Sequence, residues 1–260
     1  MPQLCLTPLL NIPLIRHGDS LADIVVAALQ ANQLILQDGD VLVFAQKIVS
    51  KAEGRTVNLQ QVQPSQAALD YAETTGKDPR LVELILRESR SVLRARPGLM
   101  VVEHRLGFVC ANAGIDQSNV EASPTVESNS QHDLVLLLPE NPDRSAAELR
   151  ETLRHVTGKS LGILIIDSHG RAWRNGTVGA AIGLAGLPGL EDLRGKPDLF
   201  GYHLRATQVG VADELAAAAS LVMGQAAEGI PLVHVDGFPY PLRESGLAEL
   251  IRPAEQDLFR

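Results

Sequence analysis

Aromatic residues make up only 3% of the 260-residue chain, and Trp173 is its single tryptophan. So few planar platforms argue against a binder of unpaired nucleic-acid bases. Cysteine is equally scarce. Cys5 and Cys110, the only two, exclude a disulfide scaffold and a four-cysteine zinc site. Positive charge is also in deficit, with 23 Lys and Arg against 31 Asp and Glu, a formal net charge of −8. No nucleic-acid partner and no polybasic membrane surface is therefore expected. No apolar run reaches the ~18 residues needed to span a bilayer. Met1 to Arg16 lacks the succession of a basic run, an apolar stretch and small residues that marks a secretory leader. What is present is a chain 45% hydrophobic and 21% charged, enough apolar surface for a sizeable core. It reads as a cytoplasmic globular protein, one large domain or two packed closely.

Hydrophobic periodicity sets out the elements. Leu21, Ile24, Val25 and Ala28 repeat at helical spacing, with Asp19 or Ser20 as cap. Val41 to Ala45 is a short β-rich run, read as a buried strand that ends in a polar segment, Gln46 to Arg55. A helix is expected over Pro79 to Arg90, and a hairpin from Val101-Val102 and Phe108 to Cys110 around a turn at Arg105 to Gly107. Residues 121–132 are polar and Ser-rich and read as a loop. Leu134 to Leu138 is a further strand, and Ser145 to Glu148 has capping-box spacing before Leu149, Leu153 and Val156. Leu161 to Ile166 is the strongest strand, stopping at Asp167. A glycine-dense stretch from Gly170 to Gly189, too apolar for a linker, precedes a helix at Val209 to Met223 and a strand at Pro231 to Val235. Strands and helices mix without strict alternation, so the fold class is α+β with mixed or antiparallel sheets.

Familiar motifs fail in detail. Gly158-Lys159-Ser160 has the tail of a P-loop, but it precedes a strand and lacks the first glycine. Gly183, Gly186 and Gly189 do not form a dinucleotide fingerprint, and neither a zinc H-E-x-x-H nor a G-x-S-x-G elbow occurs. Asp167-Ser168-His169 has the letters of a hydrolase triad, but sequence neighbours diverge along an extended chain. The remaining signal is polar residues where apolar runs end: Lys51, Asp116 and Asp167. Two carboxylates and a lysine suit a hard metal beside phosphates. They suit ordinary strand-end turns and a solvated lysine as well.

The wording of several segments goes beyond their spacing. Lys47 to Arg55 reads K-I-V-S-K-A-E-G-R, Cys110 to Asp116 reads C-A-N-A-G-I-D and continues to Ser118-Asn119, and Asp167 to Gly176 reads D-S-H-G-R-A-W-R-N-G. With Asp192 to Gly195, Val211 to Ala216, Met223 to Gln225 and Gly229 to Pro231, these segments resemble, in order from about Leu14 to Val235, the coenzyme F-420-0:L-glutamate ligase family. The resemblance is to the stand-alone form, without the nitroreductase-like domain fused to some members. It implies that residues 1–260 form a single catalytic unit of two interleaved subdomains.

That resemblance implies GTP-dependent addition of L-glutamate, through its amine, to the lactyl carboxylate of F-420-0, with later extension of a gamma-linked tail. Uphill amide formation would run through an acyl phosphate. Carried over by position, Lys51, Asp116 and Asp167 are catalytic. Asp116 and Asp167 would hold one divalent metal, Mg²⁺ or Mn²⁺, and Ser168 (threonine in the family) with Gln225 a second. A potassium ion is also admitted. Nucleotide contacts would come from Ile12, Pro13, Leu14, Gln46, Lys47, Lys51 and Asn119, and from Met223, Gly224, Gln225, Ala226, Ala227, Glu228, Gly229 and Ile230. A homodimer is implied as well. Ile12 to Leu14 could equally pack as a core-anchored strand. Arg171 and Arg174 are candidates for anion contacts, and Trp173 reads as core or pocket wall. Two other functions remain open: a ligase of the same fold for another carboxylate cofactor, and a nucleotide-binding regulatory module without catalysis.

Overall fold

The structure is a computed structural model that describes residues 3–118, 120 and 133–257. The Ser-rich loop expected at 121–132, and Asn119, lie outside the described residues. The chain begins with β1 (Cys5–Pro8), α1 (Leu21–Ala31), β2 (Val41–Ala45) and α2 (Gln46–Ala52). Next come β3 (Thr56–Asn58), α3 (Gln66–Thr75), α4 (Pro79–Arg87), β4 (Ser89–Arg96), β5 (Leu99–His104), β6 (Val109–Ala111) and β7 (Leu134–Leu136). It continues through α5 (Pro142–Thr157), β8 (Gly162–Gly170), β9 (Thr177–Ala185), β10 (Glu191–Asp192), β11 (Gln208–Val209), α6 (Val211–Met223) and β12 (Leu232–Asp236).

The central sheet has the order β1-β12-β2-β8-β9, and only β2 and β8 run parallel in it. Both of its faces are covered. Leu42, Phe44, Ile163 and Ile165 pack against α1 and α5, while Val41, Val43, Leu164 and Ile166 pack against α6. Burial on both faces is why β2 and β8 read as continuous apolar runs without polar alternation. A third cluster joins Leu59, Val82, Ile85, Met100, Val102 and Val135, beside the three-stranded sheet β4-β5-β6 and the pair β3-β7. Phe108 touches all three clusters and so ties the parts together. Helices with mixed and antiparallel sheets make this an α+β fold.

Several expectations give way to tertiary context. The polar segment after β2 is the helix α2, too short for its apolar period to be read. The expected helix over 79–90 ends at Arg87, and the chain enters β4 at Ser89. The strand expected to stop at Asp167 runs to Gly170, because β9 pairs with it as far as Gly170↔Thr177. Ser145 is not a cap. Asn141 caps α5 with Pro142 in its first turn, so the helix starts a turn earlier, and the Ser145 hydroxyl donates to Glu53 and the Asn141 carbonyl.

The glycine-dense stretch is edge strand β9 under two helices. A Cβ on Gly179 would lie 2.4 Å from the Ala216 carbonyl oxygen of α6, and one on Gly183 would lie 2.5 Å from the Pro142 carbonyl carbon of α5. The same helices satisfy the edge: Ser220 accepts from Gly179 N–H, Asp213 from Ala181 N–H and Asp143 from Leu184 N–H. These three N–H groups are thereby unavailable to template another strand. Gly179→Ala should cost about 1–3 kcal/mol by forcing α6 off the sheet. A melting curve superimposable on the wild type would refute this account of the stretch.

His104 is fully buried and stacks on Phe108, with ring centroids 5.2 Å apart. Its Nδ1 accepts the Leu106 N–H at 3.0 Å. Burial, reinforced by the nearby Arg105 charge, pushes its pKa down to about 4. The unfolded chain therefore takes up this proton first as pH falls. Linkage makes the neutral ring worth up to ~3 kcal/mol, held above pH ~6.5 and lost between there and about 4. His104→Phe keeps the stack and cannot protonate, so its stability should fall less steeply than the wild type's across that window. Parallel stability–pH curves for the two proteins would remove His104 from this role.

Candidate active site

Strand register assembles the site. Ala45 pairs with Ile166, so the start of α2 emerges beside Asp167 and Ser168 on β8. The Ala45 N–H donates to the Pro231 carbonyl at 2.9 Å, which brings the segment after α6 to the same end. Leu9 N–H donates to the Leu232 carbonyl at 3.0 Å, so the chain leaving β1 towards Ile12, Pro13 and Leu14 starts there too. The carboxyl ends of parallel strands are where α/β sheets commonly bind ligands.

From α2, Lys47 Nζ reaches Asp116 Oδ2 at 2.7 Å and Ser118 Oγ at 2.8 Å. Asp116 Oδ1 accepts the Ser118 N–H at 2.6 Å, and its backbone is held by a two-way bridge to Leu136. Burial raises the Asp116 pKa, but hydrogen bonds from Lys47 and Ser118 outweigh it and leave the carboxyl below its ordinary value. It stays ionised at neutral pH. Lys51, half-buried one turn further along α2, lies on the same helix face as Lys47.

Side chains alternate along β8, so Asp167 and His169 share one face and Ser168 takes the other. Asp167 Oδ2 is 3.1 Å from His169 Nε2, and the His169 ring leans on Phe108 with centroids 5.1 Å apart. The Asp167–His169 approach is short, but among the described residues His169 Nε2 makes no aligned hydrogen bond. After burial itself, the Asp167 charge is the next cause that pushes the Cys110 thiol up to about 12, which leaves this cysteine inert. On the opposite face Ser168 Oγ donates to Gln225 Oε1 at 2.7 Å. The turn that carries Gln225 is held by Glu228, which accepts the Ala226 N–H at 2.7 Å. Its side chain crowds Gly224, whose φ of +73° favours glycine.

Gln46 is buried; its Oε1 accepts from Ser50 Oγ at 2.8 Å, while among the described residues its Nε2 has no hydrogen-bond partner. An unpaired buried donor beside Asp167 suits a ligand rich in acceptors. Ile12 packs against the first core cluster, while Leu14 is exposed. Of the two places expected for Trp173, core or pocket wall, the core is excluded: it is 91% exposed, at the tip of the β8–β9 hairpin between exposed Arg171 and Arg174. Ser118 escaped the reading of the sequence as a site partner. Ser118, two residues after an Asp, carried the signature of an Asx turn that could have flagged it.

Among the described residues, no three His, Cys, Asp or Glu side chains group as a ready-made metal site. The oxygens of Asp116, Asp167, Ser168 and Gln225 are nonetheless the hard donors that Mg²⁺ or Mn²⁺ prefers when phosphates complete the shell. Cavities of about 510 and 620 Å³ open elsewhere, with Leu106 and Asn141 lining both.

Residues 9–237 match the family model described as F420-0:Gamma-glutamyl ligase. The chain belongs to this family. Relatives named "Coenzyme F420:L-glutamate ligase" agree along nearly the whole length. The protein of Methanothermobacter thermautotrophicus is 49% identical over 252 residues, 96% of each chain. That of Methanopyrus kandleri is 45% identical over 264 residues, 100% of this chain and 99% of its own. That of Methanocaldococcus jannaschii is 39% identical over 253 residues, 96% and 95% respectively. The gamma-glutamyl ligase family match thus spans both ends of the assembled site, Ile12 and Ile230. Among the described residues, no helix is long and apolar enough to cross a membrane.

Proposed function

We propose that this protein ligates L-glutamate to the lactyl carboxylate of F-420-0 and extends a gamma-linked glutamate tail, using GTP. The observation that supports the proposal is that the Lys47–Asp116 and Ser168–Gln225 contacts and Asp167 all follow the carboxyl ends of the parallel strands β2 and β8, in a chain of this family. The relatives' names supply the two substrates, coenzyme F420 and L-glutamate.

The chemistry follows from the charges. A carboxylate oxygen of the acceptor attacks the γ-phosphorus of GTP, the bond to the bridging oxygen breaks, and GDP leaves. The glutamate amine then attacks the acyl carbon, phosphate departs with the transferred oxygen, and the amine loses a proton. Lys47 and Lys51, on one face of α2, pair with the polyphosphate and neutralise its charge. Gln46 Nε2 offers a further donor. Asp116, Asp167, Ser168 and Gln225 would hold the divalent cations, which supply charge stabilisation to the phosphoryl group when bound. The chain acts as a homodimer in this reading, supported by the solvent-exposed Leu199 and Phe200 between β10 and β11 and Leu221 on α6.

Product mass tests the reading. Incubation with GTP, Mg²⁺ or Mn²⁺, glutamate and F-420-0 should add one glutamate residue per turnover to the acceptor. GTP binding without turnover, or turnover with a different carboxylate acceptor only, would contradict it. The Ser168 contact gives a finer check. Ser168→Thr keeps the oxygen that meets Gln225 and should retain activity, whereas Ser168→Ala should need at least tenfold more metal for the same rate, on the order of one charge-assisted contact. A metal titration of Ser168→Ala that overlays the wild type would leave Ser168 a structural link only.

A further inference from the structure

The β8–β9 hairpin carries Asp167 and Ser168 on one strand and continues to a tip, residues 171–176, with both arginines and the tryptophan in solvent. Trp173 is 91% exposed. Its φ of +63° lies in the left-handed region, which a bulky aromatic rarely adopts. Among the described residues its ring makes no stacking or cation–π contact. The tip therefore presents a bare indole face flanked by Arg171 and Arg174, in a protein whose overall charge is −8.

We propose that this tip is the acceptor platform: Trp173 stacks on a planar, fused-ring ligand, and Arg171 and Arg174 pair with that ligand's anionic groups. Three features fit this occupant. An exposed indole is completed by a flat π-surface, and guanidinium groups match carboxylate and phosphate oxygens. Trp173 also follows Ser168 by five residues, no more than about 17 Å of extended chain. A ligand with an aromatic ring at one end and a reacting carboxylate at the other can span that gap. The deazaflavin acceptor has this form, so the inference rests on the ligase reading above and assigns the acceptor's place within it.

Because Trp173 is the sole tryptophan, intrinsic fluorescence reports on the tip alone. Titrating F-420-0 into the full chain without GTP should quench this emission, whereas GTP with Mg²⁺ should not. Trp173→Ala should raise the acceptor KM about tenfold, the scale of one stacking contact, leave the GTP KM unchanged, and be rescued by Trp173→Phe. Arg171→Gln and Arg174→Gln should each raise the acceptor KM and flatten its salt dependence. An unchanged acceptor KM in Trp173→Ala overturns the platform. So does a lowered sedimentation coefficient with that KM unchanged, which would make the ring a seam between copies. If the wild type forms product while these variants keep their acceptor KM, the ligase reading stands and the platform falls. If the wild type forms no product with F-420-0, both fall.

Discussion

Asp167→Asn should abolish ligation while leaving the fold intact. The substitution keeps the size of the side chain and removes one anionic oxygen donor, so the expected loss in kcat is on the order of 10²–10³-fold or more. Little stability should go with it. Asp167 lies on β8 beyond its most apolar run, and its close side-chain contact among the described residues is with His169. Because asparagine keeps the size of the side chain, melting curves should differ by about 1 kcal/mol or less. Activity in Asp167→Asn within a few-fold of wild type, or full wild-type turnover in excess chelator, would remove the metal from the account.

Lys47→Ala carries the second large effect, and comparison with Lys51→Ala locates the nucleotide. Losing the Lys47 ammonium takes away both the proposed phosphate contact and the 2.7 Å partner of Asp116. The GTP KM should rise by one to two orders of magnitude, with a fall in kcat, because a charge-assisted contact inside a partly buried site is lost. Asp116 should also become easier to protonate. In the wild type its lowered pKa stabilises the fold above the ordinary carboxylate range, and this contribution is lost as pH falls through the folded value. Lys47→Ala should shrink that acid-limb stability. Lys51→Ala should raise the GTP KM without touching the Asp116 titration, since the Asp116 salt bridge belongs to Lys47. Unchanged GTP kinetics in both variants would return both lysines to structural and surface roles.

The elements most legible in the sequence are those whose pattern is set by the core alone. β2 and β8 are buried on both faces, so their apolar runs stand out, and α1 shows its period and its Ser20 cap directly. α2 does not, because seven residues give barely two turns and their meaning comes from what the helix end meets. β9 reads as a glycine stretch because two helices press on it, a contact made by residues distant in sequence. Position along β8 misled in the same way, since pairing with β9 extended the strand past Asp167. For the site, the motifs identified the segments, but the Lys47–Asp116 and Ser168–Gln225 contacts depend on register and the chain path after α6. Trp173 read as core or pocket wall, and the hairpin keeps it out of the core.

Central to the account is that an acceptor carboxylate is activated by phosphoryl transfer at the Asp116–Asp167 end of the sheet. The most direct measurement uses F-420-0 labelled with ¹⁸O in its lactyl carboxylate, turned over with GTP, Mg²⁺ and glutamate. One labelled oxygen should appear in the inorganic phosphate released by the first glutamate addition, and none with Asp167→Asn; later additions take their oxygen from the unlabelled carboxylate of the tail. Glutamate incorporation with phosphate carrying no label would contradict the mechanism.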